Sequence, residues 1–376
     1  MRVVLYCDFR EDQRISMDGY ALNLTENLDK HYSDFIELDV FKPQISPWVQ
    51  RLPEILNLKM RVARYIDYPL QAKNISGEIN HILDHGYAHL LAVLDPDKTV
   101  VTVHDIIPIM AGLGKMPGVK PSGRAWLSEI TARFYKKARW IIAVSENTKR
   151  DLVNYCGCDP ERIKVVCNGL HKSFVSTIDD SISKTTAREK LGLPNNGVKL
   201  ILITGRDFYK NHKTCIKVFS ILNKKYEKSI KLVRLGADND EWQRLVVEYS
   251  VEEDVISIDY LASDQMPLIY SAVDCLLFPS LYEGFGWPPI EAMACGTPVI
   301  CSNAASLHES AGDAALYCEP EDVHGLVQAT ESVLMDESLG KRMVDKGFMH
   351  IKRFDWVENA KQVMKIYQSI HSGDFT

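Results

Sequence analysis

The sequence predicts an α/β fold of two doubly wound domains. Three observations carry that expectation: short continuous apolar runs rich in β-branched residues, amphipathic stretches between them, and one polar tract near the middle of the chain. Apolar runs without alternation mark strands covered on both faces, as in parallel sheets sandwiched by helices. In the first half they are RVVLYC (residues 2–7), EINHIL (78–83), TVVTVHD (99–105) and WIIAVS (140–145). In the second they are KLILITG (199–205), KLVRLG (231–236), CLLFPS (275–280) and PVICS (298–302). The tract HKSFVSTIDDSISKTTAREKLGLPNNG between them is poor in strand formers and reads as a linker. The expected division is a first domain over 1–171, a linker over 172–195 and a second domain over 196–355. A last helix over 356–376, after RFDW, packs on one domain or bridges both. Such sheets bind ligands beyond the carboxyl ends of their strands, so two of them predict a cleft lined by those ends.

The bulk composition fits this reading. A chain of 376 residues is long enough for two domains, and 46% hydrophobic with 25% charged residues supports sizeable cores. The formal charge of -6 divides into +2 over residues 1–175 and -8 over the remainder. A mildly basic front half argues against a nucleic-acid footprint and leaves room for an anionic substrate or surface. Nine scattered cysteines, several inside apolar runs (Cys7, Cys275, Cys301), read as reduced core residues of a cytoplasmic protein. Cys156-Gly157-Cys158 reads as a turn, since no second pair completes a metal site. The first residues run straight from a strand into DFREDQR, without an apolar leader core, and runs such as LLAVL are too short to cross a bilayer.

The most informative stretch is PSLYEGFGWPPIEAMACGTPVICSN, residues 279–303. A strand ends at Ser280, a loop carries Glu283, Gly284, Phe285, Gly286 and Trp287, and a helix is expected from Pro289 to Gly296. Gly284 and Gly286 would free the loop backbone for positive φ and close ligand approach. Amides of Phe285, Gly286 and Trp287 at a helix N-terminus would make a diphosphate seat. Glu291 alone reads as a first-turn carboxylate complementing the helix dipole. Paired with Glu283 across a glycine loop, it reads instead as a ligand for sugar hydroxyls, because a carboxylate beside a phosphate seat is otherwise electrostatically costly.

This stretch resembles the E-x7-E signature of retaining GT-B glycosyltransferases, the family 4 group of nucleotide-sugar enzymes, and the resemblance continues into SLHESAGDAALYCEP. It implies a GT-B fold of two Rossmann-like domains, an acceptor-binding first domain and a donor-binding second one. It implies that Glu283 contacts the donor sugar and Glu291 the ribose. His308 stands where the family more often has proline. In ITGRDFYKNHKT, Arg206 and Lys210 correspond to the family's diphosphate-binding arginine and lysine, at a spacing one or two residues shorter. ISMDGYALNLTENL resembles the family's first glycine loop, with Gly19 placed before a helix to let the donor phosphates approach. His104, at the end of a strand, corresponds to a histidine that faces the donor sugar as a neutral imidazole. Ser145 caps a helix, and Tyr260 and Leu261 lie beside the nucleotide base. His81, His85 and His89 stand four apart but are not expected to share a face, because EINHIL is a strand and Gly86 breaks any helix.

The implied reaction moves a hexose of mannose or glucose type from a UDP- or GDP-linked donor to a hydroxyl of a glycan or lipid-linked acceptor. No cofactor or metal is expected beyond that co-substrate. His104 and Glu283 are the expected catalytic pair. The basic stretch over residues 51–65 reads as a helix with a solvated edge or as a peripheral contact with anionic lipid at the inner membrane face. Two rival readings share the architecture: a nucleotide-sugar epimerase, which needs no acceptor, and a nucleotide-sugar binding protein that turns nothing over. The E-x7-E stretch disfavours the first, and the presence of the whole donor set with His104 disfavours the second.

Overall fold

The computed structural model describes residues 1–53, 57–117, 125–179 and 182–373. The chain divides into two units, one of residues 1–169 with the C-terminal segment from Phe354, the other Leu170–Arg353.

In the first unit, β1 (Arg2–Tyr6), β2 (Glu37–Phe41), β3 (Ile79–Ile82), β4 (Thr99–Val103), β5 (Trp140–Ala143) and β6 (Ile163–Val165) form one sheet. Its order is β2-β1-β3-β4-β5-β6, with every neighbouring pair parallel. The order reverses between β1 and β3, which opens a crevice beyond their carboxyl ends. The central strands are buried along their length, as their unbroken apolar sequences require. Ser145 caps the helix Glu146–Cys156 by accepting the Thr148 amide at 3.0 Å, and Gly157 closes that helix at φ 62°. Cys156 and Cys158 flank this turn, buried and unbonded.

The last helix, Trp356–Ser372, belongs to the first unit. Its Tyr367 hydroxyl meets His81 Nδ1 at 2.5 Å, and His81 Nε2 meets Thr102 Oγ1 at 2.7 Å. Asn359 donates to the Cys167 carbonyl, and a Cβ on Gly169 would fall 2.5 Å from Trp356 Cγ. Burial holds the His81 ring neutral, with its pKa down to about 3. His81 therefore serves the core. Gly86, however, does not break the chain: it lies inside a 3-10 helix, His85–Ala92, because the Asp84 carboxylate caps that helix through the Gly86 amide at 2.6 Å. Within the stretch 51–65, residues 54–56 lie outside the described residues. The helix Leu58–Val62 runs on into Ala63–Asp67, and Leu58, Tyr65 and Ile66 are exposed.

In the second unit, β7 (Lys199–Thr204), β8 (Ile230–Leu235), β9 (Val255–Ile258), β10 (Cys275–Phe278), β11 (Val299–Ser302) and β12 (Ala315–Cys318) pair in parallel in the order β12-β11-β10-β7-β8-β9. The reversal lies between β7 and β10. Residues 172–195, read from composition as linker, instead carry the helices Lys172–Asp179 and Lys184–Leu191, both within this unit. Arg188 explains the difference. This residue of the polar tract is buried, donates to the Ala272 carbonyl at 2.8 Å and pairs with Asp274 at 2.7 Å.

Asp274 also accepts Lys184 Nζ at 2.8 Å and the Leu200 amide at 2.7 Å. Burial alone would raise its pKa, but Lys184, the Leu200 amide and Arg188 outweigh it and hold the carboxyl below the ordinary value. Its stabilising contribution is therefore present above the unfolded pKa, near 4, and fades as pH falls through the lower folded value. Asp274→Ala should cost about 3 kcal/mol at pH 7 by leaving Arg188 buried and unpaired. Urea midpoints measured from pH 7 down to pH 3 should converge for the two proteins; a gap that stays constant would contradict this account.

Candidate functional site

In the second unit the loops that leave β7 and β10 emerge side by side at the reversal of strand order. The Leu281 amide donates to the Tyr209 carbonyl at 2.7 Å, tying one loop to the other. Asn211, in the left-handed region at φ 58°, donates through its side chain to the Pro279 carbonyl at 3.1 Å and the Pro320 carbonyl at 2.7 Å. These bonds bring Lys210 to Glu283, with Nζ 2.8 Å from Oε1 and both side chains nearly nine-tenths buried. The lysine stem lies over Gly205, whose φ is 91°; a Cβ there would sit 2.8 Å from Lys210 Cγ. The ammonium also lies 4.9 Å from the centre of the Phe278 ring, a favourable cation–π distance.

Behind Glu283, Ser306 donates to its backbone carbonyl at 2.9 Å. The following helix is Trp287–Ala294, so it starts two residues before Pro289; Gly286, at φ 93°, is its cap, and Gly296 follows at φ 69°. Crowding dictates glycine at 286, because a Cβ would fall 2.8 Å from Ser310 Oγ and 3.0 Å from Leu307 Cδ2. Gly284 and Phe285 are buried, and the Phe285 ring meets that of Trp287 edge-on at 5.9 Å. Glu291 is the helix's fifth residue, outside the first turn, and it accepts the Tyr270 hydroxyl at 2.7 Å. Burial pushes its pKa up to about 7, against the opposing Tyr270 hydrogen bond and Lys210 charge. Lys210 thus acts on both glutamates.

Arg206 stands one residue past Gly205 with its side chain exposed, and its carbonyl accepts Asn239 Nδ2 at 3.5 Å. Leu261, half-buried, follows β9 on the same edge of the sheet, two strands away from β7. His308 stacks on Tyr317 with ring centres 3.9 Å apart.

In the first unit His104 follows β4 and is buried. Its Nε2 lies 2.8 Å from the Leu83 carbonyl, so the proton sits there and Nδ1 remains without a hydrogen-bond partner. Burial lowers its pKa to about 4, which keeps the ring neutral. Gly19 departs from expectation. It is the fifth residue of the helix Ile15–Tyr32 rather than part of a loop before it, so its amide is committed to the helix ladder. A Cβ at this position would meet nothing within 4 Å, so no crowding explains the glycine.

Sequence reasoning singled out His85 and Asp105 but passed over the rest of a charged cluster around the β1–β3 reversal. Arg14 forms an ion pair with Asp84, and Arg64 reaches Asp12 at 2.6 Å. His85 lies between Asp84, at 3.3 Å, and Asp105, at 3.7 Å. Asp8 is buried and shares a side-chain hydrogen bond with Asp84. The available signal was an aspartate just past each of three apolar strands, in LYCDF, HILDH and TVHD.

Comparison with known proteins accounts for both units. The model of glycosyl transferases group 1 matches residues 183–350, and that of glycosyltransferase family 4 matches residues 33–174. O-antigen chain mannosyltransferase B of Escherichia coli is 27% identical over 72% of this chain and 70% of its own length. Serotype-specific mannosyltransferase WbdA of Escherichia coli is 27% identical over 70% of this chain, which spans about a third (32%) of that longer protein. Among solved structures, WaaG, a glycosyltransferase involved in lipopolysaccharide biosynthesis, superposes with a TM-score of 0.75 at 15% identity, over 98% of this chain and 99% of its own. Anabaena HepE in complex with UDP and glucose gives 0.74 at 17%, over 98% and 100%. With two six-stranded parallel sheets of the GT-B kind and both family models in register with them, this chain belongs to the group 1, family 4 glycosyltransferases.

Proposed function

We propose that the protein transfers a hexose, of mannose or glucose type, from a UDP- or GDP-linked donor to a hydroxyl of a glycan or lipid-linked acceptor, with retention, in polysaccharide synthesis. The observation that carries this reading is the Lys210–Glu283 pair at the β7–β10 reversal, with Glu291 within its field. The O-antigen mannosyltransferases among the relatives support the polysaccharide setting, and HepE, which was solved with UDP and glucose, supports the donor class.

In this reading Lys210 and Arg206 neutralise the departing diphosphate, with the amides around Gly286 at the helix N-terminus. The free Oε2 of Glu283 accepts a sugar hydroxyl while Oε1 stays with Lys210. Glu291 takes the ribose, Leu261 flanks the base, and neutral His104 hydrogen-bonds the transferred sugar. The bond from the anomeric carbon to the phosphate oxygen breaks as the acceptor oxygen attacks from the same face, and the acceptor proton passes to the departing diphosphate. Fixed cations and amides carry the developing charge, so activity without a divalent metal is proposed. An alternative contact is proposed for the first unit: Tyr65, Ile66 and Leu70 are exposed beside Arg61 and Lys73, a composition suited to an anionic lipid surface. No helix among the described residues is long and apolar enough to cross a membrane.

A thermal-shift titration with UDP, GDP, ADP and their hexose conjugates should show one nucleotide raising the melting temperature, unchanged by EDTA. Glu283→Ala and Arg206→Ala should each abolish transfer while the protein still melts cooperatively; full activity in either removes its assigned role. The raised pKa of Glu291 has two consequences. This group's contribution to the stability of the empty protein declines as pH rises from about 4 through 7, while nucleotide affinity rises by up to about ten-fold between pH 6 and 8 as the carboxylate forms. Glu291→Gln should flatten the affinity profile. Co-sedimentation with phosphatidylglycerol vesicles, but not phosphatidylcholine ones, checks the lipid contact, and Ile66→Asp should weaken it several-fold; equal binding to both vesicles speaks against it.

A further inference from the structure

One wholly buried charge in the second sheet has no part in the donor chemistry described so far. Arg234 lies in β8, where the other buried positions are apolar. It is 0% exposed, and a charge at that depth costs stability that a leucine or methionine would not. Its guanidinium is committed to the backbone just ahead: one terminal nitrogen donates to the Gly236 carbonyl and the other to the Ala237 carbonyl, both at 2.9 Å. The Asp238 carboxylate lies 3.8 Å away, and the centre of the Trp242 ring is 4.8 Å from the guanidinium carbon. Arg234 thereby pins the turn from Gly236 to Asn239, which leads into the helix Asp240–Glu248. Two donor elements lean on that turn. Gly236 packs so closely on Gly205 that a Cβ would fall 2.7 Å from the Gly205 carbonyl, and Gly205 in turn seats the Lys210 stem. One residue on, the Arg206 carbonyl accepts Asn239 Nδ2 at 3.5 Å, while the Asn239 side-chain oxygen accepts the Trp242 amide at 2.8 Å. His212, edge-on to Trp242 with ring centres 5.7 Å apart, hydrogen-bonds the Thr204 and Gly205 backbone.

We propose that Arg234 is a positioning residue of the donor site: it fixes the Gly236–Asn239 turn, and through it the backbone that presents Arg206 and Lys210 to the diphosphate. This role rests on the glycosyl-transfer reading above and extends it to a residue too deep to touch a ligand. Position in the sheet supports it, because β8 neighbours β7 and both run out to the edge where such sheets bind ligands. An arginine suits the task where an apolar residue does not. Hydrogen bonds from a charged donor are roughly twice as strong as neutral ones, and the planar fork holds two successive carbonyls at once. Stability alone would favour the opposite choice, since well-packed apolar residues in place of buried ions are often neutral or stabilising. A local rule broken in this way, inside a core strand beside the ligand edge, is expected where function demands it. Arg234→Met should therefore still fold, because the exposed Ala237 can turn its carbonyl to water, but the turn would lose its fixed geometry.

The test is calorimetric titration of the full chain with UDP and GDP and with the matching monophosphates, for the wild type, Arg206→Ala, Arg234→Met and the double variant. Arg206→Ala should weaken the diphosphate about ten-fold, the worth of one charge-assisted hydrogen bond. Arg234→Met should weaken the diphosphate about five-fold and leave the monophosphate within about two-fold of the wild type, since only the diphosphate arm is displaced. Because the arginine acts through Arg206, the double variant should lose clearly less than the product of the two single losses. Single losses that multiply, or a monophosphate weakened as much as the diphosphate, would mark Arg234 as a core residue only and overturn its role. Should Arg234→Met fail to melt cooperatively, Asn239→Ser takes its place: serine keeps the helix cap but drops the amide donor to Arg206. It should weaken the diphosphate about three-fold, and not at all in the Arg206→Ala background; an equal loss in both backgrounds overturns the role. If one diphosphate binds the wild type and binds Arg234→Met as tightly, only the role of Arg234 is overturned. If neither binds the wild type, the glycosyl-transfer reading falls and this role falls with it.

Discussion

The second unit is organised around one ion pair. Lys210 and Glu283 come from loops that follow β7 and β10, the two central strands at which the sheet reverses, and their charged atoms lie 2.8 Å apart. Both are largely buried, so removing either partner would strand a charge in a low-dielectric setting, a loss of about 3–5 kcal/mol. Neighbouring features serve that pair. Gly205 leaves room for the lysine stem, Gly236 leaves room for Gly205 (a Cβ would sit 2.7 Å from its carbonyl), and Ser306 holds the Glu283 backbone. A polar pair at this depth is weak as glue. It has value as a preset charge, poised where a ligand can take over one of its partners.

The two sheets were legible in their centres and obscure at their rims. All eight apolar runs became strands, because a parallel strand between two neighbours is buried on both faces and its sequence must be apolar throughout. The four strands without a sequence signal are β2, β6, β9 and β12, and these are the four edges. An edge strand has one neighbour and partial exposure, so ELDVF or VISI carries no continuous apolar pattern. The helices of the supposed linker were hidden for a related reason: a polar tract can dock through one buried arginine, and Arg188 gives no periodic signal.

Legibility of the site followed the same logic. Glu283, Glu291 and Lys210 could be placed together because glycines and prolines punctuate their loops at recognisable positions. Gly19 was misplaced by the same punctuation, since a glycine in a helix interior looks like one that precedes it. Asp8 escaped altogether. Its burial depends on Tyr68, Tyr87 and Asp84, which lie between sixty and eighty residues further on, and no local pattern reports such company.

The last helix gives the first unit an unusual dependence on chain order. Its core is completed by Tyr367 against His81 and by Trp356 against Gly169, so the sheet that contains Arg2 is sealed by residues made only after the whole second unit. The second unit, Leu170–Arg353, is continuous and contains its own sheet. During synthesis on the ribosome, where domains tend to fold as they emerge, the middle of the chain can therefore mature before the beginning does. The nascent first sheet must wait, with the face that Trp356 and Tyr367 will cover still open, and it is at this stage that a chaperone would find the protein.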